Sequence, residues 1–320
     1  INKEGGIDGK KIKLVYVNGP DQNASADAVR KFAADGIKVY TGTGSSTFDL
    51  ADSTVGERLK IVTWSVLSLD STLTDRGYKY TVQVGPHTQT FIEPSLEMLR
   101  SMPERLGKSA SDLRIALVTS NDAYGESNAK AQKAAIREMG SKIVLEQSYD
   151  KAATDLTPVV QRIKSAKPDV VLQTGYNDDV TLMWRNAKTL GYAPPYFIGS
   201  GGANSKTFEK ALGDFKDGFL SYGYTMPNEQ IAGSVEFGEL YEERYKEPLP
   251  AGQALGAYAG LLKLADTLRE AGSDDPDAIV EAAKRLDKPF GAYPDGCGMK
   301  VEANGRNMRC GGSGFQWQKG

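Results

Sequence analysis

Few residues in this 320-residue chain are equipped for chemistry. It has one histidine, His87, and two cysteines, Cys297 and Cys310. That is too few ligands for a Cys/His zinc cluster, and it leaves a His-centred triad only one candidate base. His87 stands in Gly85-Pro86-His87-Thr88 behind an apolar run. A solvated loop histidine is the plainer reading, a cleft-lining one the alternative. Asp178-Asp179 could be a catalytic carboxylate pair, but the two acids precede the helical stretch 180–190 and suit its cap and dipole better. Neither a G-x-S-x-G elbow nor H-E-x-x-H occurs. The most suggestive stretch is Gly42-Thr43-Gly44-Ser45-Ser46-Thr47, two glycines and a run of hydroxyls between a short apolar run and a helical segment. Such a turn is either a nucleotide phosphate cradle or a backbone cup for another small anion or polar group. Its G-x-G lacks the third glycine of a dinucleotide site, and residues 200–207 end like a phosphate loop but carry serine at both required glycine positions. No cofactor or metal is expected, and an enzyme is the weakest reading.

The elements that must position these residues alternate with regularity. Apolar runs at 11–17, 37–40, 60–65, 78–84, 113–119, 142–147, 169–174, 196–199 and 219–224 read as strands. Amphipathic stretches at 24–35, 48–57, 90–102, 126–139, 155–165, 180–190 and 205–212 read as helices. This rhythm argues for doubly wound parallel sheets, and the nearly all-apolar strands suit sheets covered on both faces. Helical segments at 231–245, 253–271 and 276–286 follow, then a hairpin and final strand over 298–318. Met183, Trp184 and Leu190 read as helix packing. There are too many strands for one sheet and no flexible linker, so two α/β lobes sharing crossing segments fit best. A lobe starting at 11–17 lacks a central strand, so an earlier strand and helix are expected ahead of residue 1.

Charge and hydropathy narrow the partners. A net charge of −2 and a pI near 5.7 give no general basic field for nucleic acid or an acidic membrane. No apolar run is long enough to span a bilayer. No leader is visible, but one could have preceded the domain-like opening INKEGGIDGKK. Near the other end, Asn304-Gly305 is a hairpin signal. A two-residue turn there sets Cys310 opposite Met299, two positions from Cys297, so a disulfide needs adjustment in the loop 294–298. In an exported protein a Cys297–Cys310 disulfide is the favoured reading; two half-buried thiols are the alternative.

Taken together, the chain resembles the type I periplasmic binding proteins of the branched-chain amino acid transport family. The resemblance runs through residues 1–9 (INKEGGIDG), Gly42-Thr43-Gly44-Ser45-Ser46, Leu73-Thr74-Asp75-Arg76-Gly77-Tyr78, Asp122-Ala123-Tyr124-Gly125 and Ala153-Thr154-Asp155-Leu156. It continues in Lys167-Pro168-Asp169-Val170-Val171, Asn304-Gly305-Arg306-Asn307 and Gln316-Trp317. It implies two Rossmann-like lobes with a ligand cleft between them: lobe one over 1–86 and 224–290, lobe two over 87–223 and 291–320. It also implies an extracytoplasmic, monomeric solute receptor that closes by hinge bending on a small molecule and delivers it to an ABC transporter permease. By position, Gly44, Ser45 and Ser46 would hold a ligand carboxylate with hydroxyls and main-chain N–H groups. Leu67, Ser68 and Leu69 would form the second contact segment. Tyr124, Tyr176 and Gly201 would contribute from lobe two, and Gln253 from the returning helix, with His87, Asp122 and Phe48 as further cleft candidates.

Two departures bear on the ligand. Amino acid binders of the family usually carry an acid at the position of Gly201, pairing the ligand ammonium, and a threonine at that of Leu69. A buried ammonium without a carboxylate partner costs several kcal/mol. Either Asp122 or another acid substitutes, or the ligand has no α-ammonium. The second option is preferred here: a small carboxylate, with an aromatic one suggested by Phe48, Trp64, Tyr124 and Tyr176, and with Leu67 and Leu69 along its apolar edge. An amino acid ligand and a ligand-sensing, amide-responsive regulator are the alternatives.

Overall fold

The computed structural model describes residues 1–319. In chain order, α1 (Gln22–Ala34), β1 (Val39–Thr41), α2 (Ser46–Leu59), β2 (Val62–Ser65), α3 (Thr72–Asp75) and β3 (Thr81–Gln83) are followed by α4 (Thr88–Leu106) and β4 (Arg114–Ser120). Next come α5 (Ala123–Glu138), β5 (Lys142–Tyr149), α6 (Thr157–Ala166), β6 (Val170–Thr174), α7 (Asn177–Thr189), β7 (Tyr196–Gly199), α8 (Lys206–Leu212) and β8 (Leu220–Gly223). The chain ends with α9 (Ser234–Tyr245), α10 (Gly252–Ala271), α11 (Pro276–Arg285), β9 (Asp287–Lys288), β10 (Met299–Lys300) and β11 (Ser313–Gln316). It divides into two units. The first comprises Ile1–His87, Thr225–Pro248 and Gln253–Gly311; the second comprises Thr88–Tyr224, Leu249–Gly252 and the segment from Gly312 onward.

In the first unit β1, β2 and β3 form a parallel sheet in that order. Its core gathers Val62, Trp64, Val82, Val84, Ile279, Val280 and Met299. In the second unit the order is β11-β8-β7-β6-β4-β5, parallel except for β11 against β8. β4 and β6 are buried almost throughout, as central parallel strands between helical layers must be. Trp184, Phe197, Phe208 and Phe219 fill one side, with Met183 fully buried beside them. Several helix starts are set by side-chain caps: Asp21 accepts from Ala24 N–H, Asp122 from Gly125 N–H, Ser205 from Phe208 N–H and Asp275 from Ala278 N–H.

Three sequence expectations need correction. Residues 11–17 form no strand; Leu14, Val15 and Tyr16 are exposed. An apolar run alone does not make a strand; its backbone needs a neighbouring ladder, and among the described residues none pairs there. The segment 291–311, expected with the second lobe, belongs to the first unit. Gln83 N–H donates to Gly305 O, Asn307 N–H donates to Gln83 O, and the Asn307 amide donates to Val84 O. Residues 305–307 thus extend the β1-β2-β3 sheet past β3, and Arg306 reinforces this by reaching Thr74, Ser71 and Asp75. Finally, the hairpin does not turn tightly at Asn304-Gly305. Val301 pairs with Asn307, which leaves a five-residue loop between them, and Glu302 accepts from Gly305 N–H. That register brings the cysteines together as a disulfide, with Cα atoms 4.5 Å apart.

Beside the disulfide lies Lys263, 1% exposed, its Nζ 2.8 Å from Asp295 Oδ2. Burial lowers its pKa and the Asp295 charge opposes that fall. Two stability predictions follow from this corner. Replacing Cys310 with serine, or reducing the bond, lowers unfolding stability by about 3 kcal/mol, the loop-closure value for a crosslink of this span. Lys263→Ala costs about 3–5 kcal/mol because it strands the Asp295 carboxylate. Urea unfolding followed by circular dichroism checks both.

Candidate functional site

In the first unit the glycine-hydroxyl turn joins the end of β1 to the start of α2. Gly44 has φ of 84°, a left-handed conformation that side chains resist. Ser45 is the N-cap of α2 in an extended conformation, yet its hydroxyl makes no capping bond and has no hydrogen-bond partner. The first amides of a helix have no intrahelical acceptor. This end therefore offers N–H groups, the positive end of the helix dipole and an unused hydroxyl, the recipe for holding a carboxylate without a cation.

The second expected segment is fastened to the first. Ser46 is 3% exposed, and its Oγ lies 3.2 Å from Leu69 N, 3.3 Å from Asp70 N and 3.3 Å from Ser68 Oγ, each positioned to donate to it. Gly44, Ser45, Ser46, Leu67, Ser68 and Leu69 thus converge, a Cβ on Gly44 lying 3.5 Å from Leu67. The Ser46 hydroxyl oxygen is committed to this fastening as an acceptor, so its O–H and its backbone N–H are the donors it has to offer a ligand. Phe48 is half-buried in the first turn of α2, and Gln253 is half-buried in the first turn of α10. His87 is buried, 3% exposed, rather than solvated. Trp64, counted among cleft aromatics from sequence, lies in the core with its indole N–H donating to Gly260 O. On a strand buried on both faces a tryptophan is packing material.

In the second unit Tyr124 and Tyr176 meet edge-on, ring centroids 5.3 Å apart. Tyr124 sits in the first turn of α5, one turn earlier than the sequence suggested, and is hydrogen-bonded to Ser200, which precedes Gly201. A Cβ on Gly202 would lie 2.5 Å from Tyr176 O, so the Gly201-Gly202 backbone is pressed against the start of α7. Asp122, the N-cap of α5, accepts from Ser120 Oγ, Gly125 N–H, Tyr176 Oη and Lys151 Nζ, the last two at 2.8 and 2.9 Å. Burial pushes its carboxyl up, but Lys151 and the other donors outweigh it and hold it below the ordinary range. Burial and the neighbouring Asp122 charge raise the Tyr176 phenol. Lys151 also covers the Tyr176 ring at 4.5 Å. Asp122 therefore already has a cation. Asp179 accepts from Tyr176 N–H at 2.7 Å and Tyr149 Oη at 2.8 Å; it is a cap, not half of a catalytic pair.

Three residues escaped the sequence reading. Lys151 looked like any loop lysine, and nothing local marks its reach to Asp122. Asp49 and Asp52 share a face of α2, and both are buried. Asp52 accepts from Ser25 Oγ at 2.7 Å, and its other oxygen has no partner. Burial pushes its carboxyl up to about 6, the Ser25 bond opposing and Asp49 adding to the rise. Between pH 4 and 6 the folded chain binds a proton that the unfolded chain releases, so this group costs stability as pH rises through that window. Asp52→Asn is expected to raise the melting temperature at pH 7.5, the gain shrinking to nothing near pH 4, as a pH series of thermal melts would show.

Comparison with known proteins agrees with this architecture. The periplasmic binding protein family matches residues 1–320. The chain is 32% identical over 330 residues to Leu/Ile/Val-binding protein homolog 7 of Brucella suis biovar 1 (strain 1330), covering 100% of this chain and 82% of that protein. It is 31% identical over 327 residues to homolog 8 of Brucella abortus (strain 2308), covering 100% and 81%. Among solved structures, the leucine-binding protein LivK of Thermotoga maritima superposes with a TM-score of 0.83 at 19% identity, covering 99% of this chain and 88% of that one. LivJ of Streptococcus pneumoniae, solved with isoleucine, gives 0.83 at 17%, covering 99% and 87%. These likenesses show the two-lobe type I fold with parallel sheets. The chain belongs to the periplasmic binding protein family, the Leu/Ile/Val-binding solute receptors of ABC transporters, which bind rather than catalyse.

Proposed function

We propose that this chain is the extracytoplasmic receptor of an ABC permease for a small aliphatic α-amino acid, its carboxylate held at the start of α2. The observation that carries the reading is the Ser45 hydroxyl, left without a partner at an N-terminus whose turn is shaped by Gly44. The relatives named for leucine, isoleucine and valine make those the first ligands to try. Gly44, Ser45 and Ser46 are assigned to the carboxylate, and Leu67, Ser68 and Leu69 to the adjoining apolar and polar edge. Tyr124, Tyr176 and Gly201 of the second unit and Gln253 of the first remain as candidate ligand contacts. Phe48, with His87, completes the candidate set. Monomeric action and delivery to a permease follow from the same reading.

A specific observation supports a second ligand class. Gly201 brings no carboxylate, and Asp122 is already neutralised by Lys151. A ligand ammonium would have to compete with that lysine, whereas a carboxylate without an ammonium would not. Titration calorimetry with leucine, isoleucine and valine beside 4-methylpentanoate and benzoate separates the two. The amino acid reading expects heat with the first three and at least about tenfold weaker binding of the desamino acids, about 1.4 kcal/mol. The reverse order establishes the second class. No binding of any of the five removes the carboxylate assignment.

A further inference from the structure

Resting on that carboxylate assignment, we infer that Asp49 is the positioning residue of the site, clamping turn 42–45 and the end of β2 in the geometry that presents N–H groups to a ligand, with Gly42 as its obligatory partner. Asp49 closes the first turn of α2 and is fully buried. Oδ1 accepts from Thr43 N–H at 2.9 Å and from Thr43 Oγ1 at 3.2 Å. Oδ2 accepts from Ser65 Oγ at 2.7 Å, where β2 runs into the 66–70 loop. Thr43 Oγ1 in turn accepts from Ser45 N–H at 3.2 Å. One carboxylate therefore reaches the N-cap residue through a single hydroxyl while holding the strand that leads to the second contact segment.

Gly42 supports the assignment independently. A Cβ there would lie 2.3 Å from Asp49 Oδ1 and 2.4 Å from Oδ2. Its φ is not positive, so backbone freedom is not what requires a glycine. The requirement comes from the carboxylate lying flat against the Cα. All three donors face an acceptor, as an ionised carboxylate needs. Burial raises the Asp49 carboxyl, and the Ser65 and Thr43 bonds oppose the rise. Being negative, Asp49 adds no attraction for an anion and acts only through Thr43 and Ser65.

The test uses Asp49→Ala, Asp49→Asn and Gly42→Ala in the full chain, each checked for folding by circular dichroism. The probes are L-leucine and L-leucinamide, which lacks the carboxylate, or 4-methylpentanoate and its amide if the second ligand class holds. Asp49→Ala is expected to weaken the acid about tenfold or more while hardly changing the amide, so the acid-over-amide preference collapses. Asp49→Asn keeps an acceptor for Thr43 and a donor for Ser65, removes a buried charge, and retains or improves acid binding. Equal weakening of both probes by Asp49→Ala reduces Asp49 to a fold-stabilising residue and overturns the inference. Hydrogen exchange on the ligand-free protein decides the clamp even if no probe binds, an outcome that sinks the carboxylate assignment alone. Asp49→Ala should speed exchange of the Thr43 and Ser45 amides and leave β4 unchanged; unaltered exchange at Thr43 refutes it. A double-mutant cycle adds a third readout: Gly42→Ala should cost less stability in the Asp49→Ala background, and strict additivity contradicts the pairing.

Discussion

A binding turn that relies on main-chain N–H groups is only as good as its backbone is fixed. An arginine can swing to meet a carboxylate; a peptide N–H cannot move without its chain. In this protein the turn between β1 and α2 is held from inside by the Asp49 carboxylate, through Thr43 on one side and Ser65 on the other. It is held from outside by Ser46, whose hydroxyl oxygen faces the amides of Leu69 and Asp70. Both fasteners are buried side chains whose bonds compete little with water, which is where such bonds are strongest. The two glycines divide the labour. Gly44 supplies a left-handed bend, and Gly42 supplies room for the carboxylate.

The second unit solves a different problem by similar means. Asp122 caps α5 and gathers Ser120, Tyr176 and Lys151, while Asp179 caps α7 and gathers Tyr149. These acids at helix starts, Asp122 half-buried and Asp179 buried, thus hold Tyr176 by its hydroxyl and its N–H without being free for a ligand. Their positions are costly for a charge, and each is offset by donors: an ammonium and a phenol at Asp122, and main-chain N–H groups with a phenol at Asp179. Further away, the C-terminal hairpin is stitched to β3 through Asn307 and Gly305 and closed by the disulfide next to Lys263. This explains how a segment remote in sequence becomes part of the first unit.

Much of this could be read from residue order. Alternating apolar runs and amphipathic stretches made doubly wound sheets the economical solution, because strands apolar on both faces must be covered on both. The scarcity of histidine and cysteine turned the reading away from enzymes, and the glycines and hydroxyls of Gly42 to Ser46 marked the turn between β1 and α2 as the candidate for a carboxylate. Tyr124, Tyr176 and Asp122 were found through motifs of the family resemblance rather than through any local pattern. The stretch 11–17 was misread because an apolar run says nothing about whether a neighbouring strand exists. Trp64 was misplaced because sequence does not say which way a strand residue faces when both faces are apolar.

Helix and strand periodicity, the capping acids and the glycine turn are local properties, set by neighbours within a few positions, and the sequence by itself determined them. Partnerships across many residues were decided only by tertiary structure: Asp49 with Ser65, Lys151 with Asp122, Lys263 with Asp295, Asn307 with Val84. Each joins groups whose separation along the chain carries no signal, because a buried charge or amide accepts whatever partner packing brings within about 3 Å. The aspartate that holds the candidate site together is of this second kind, which is why the turn was visible from residue order and its anchor was not.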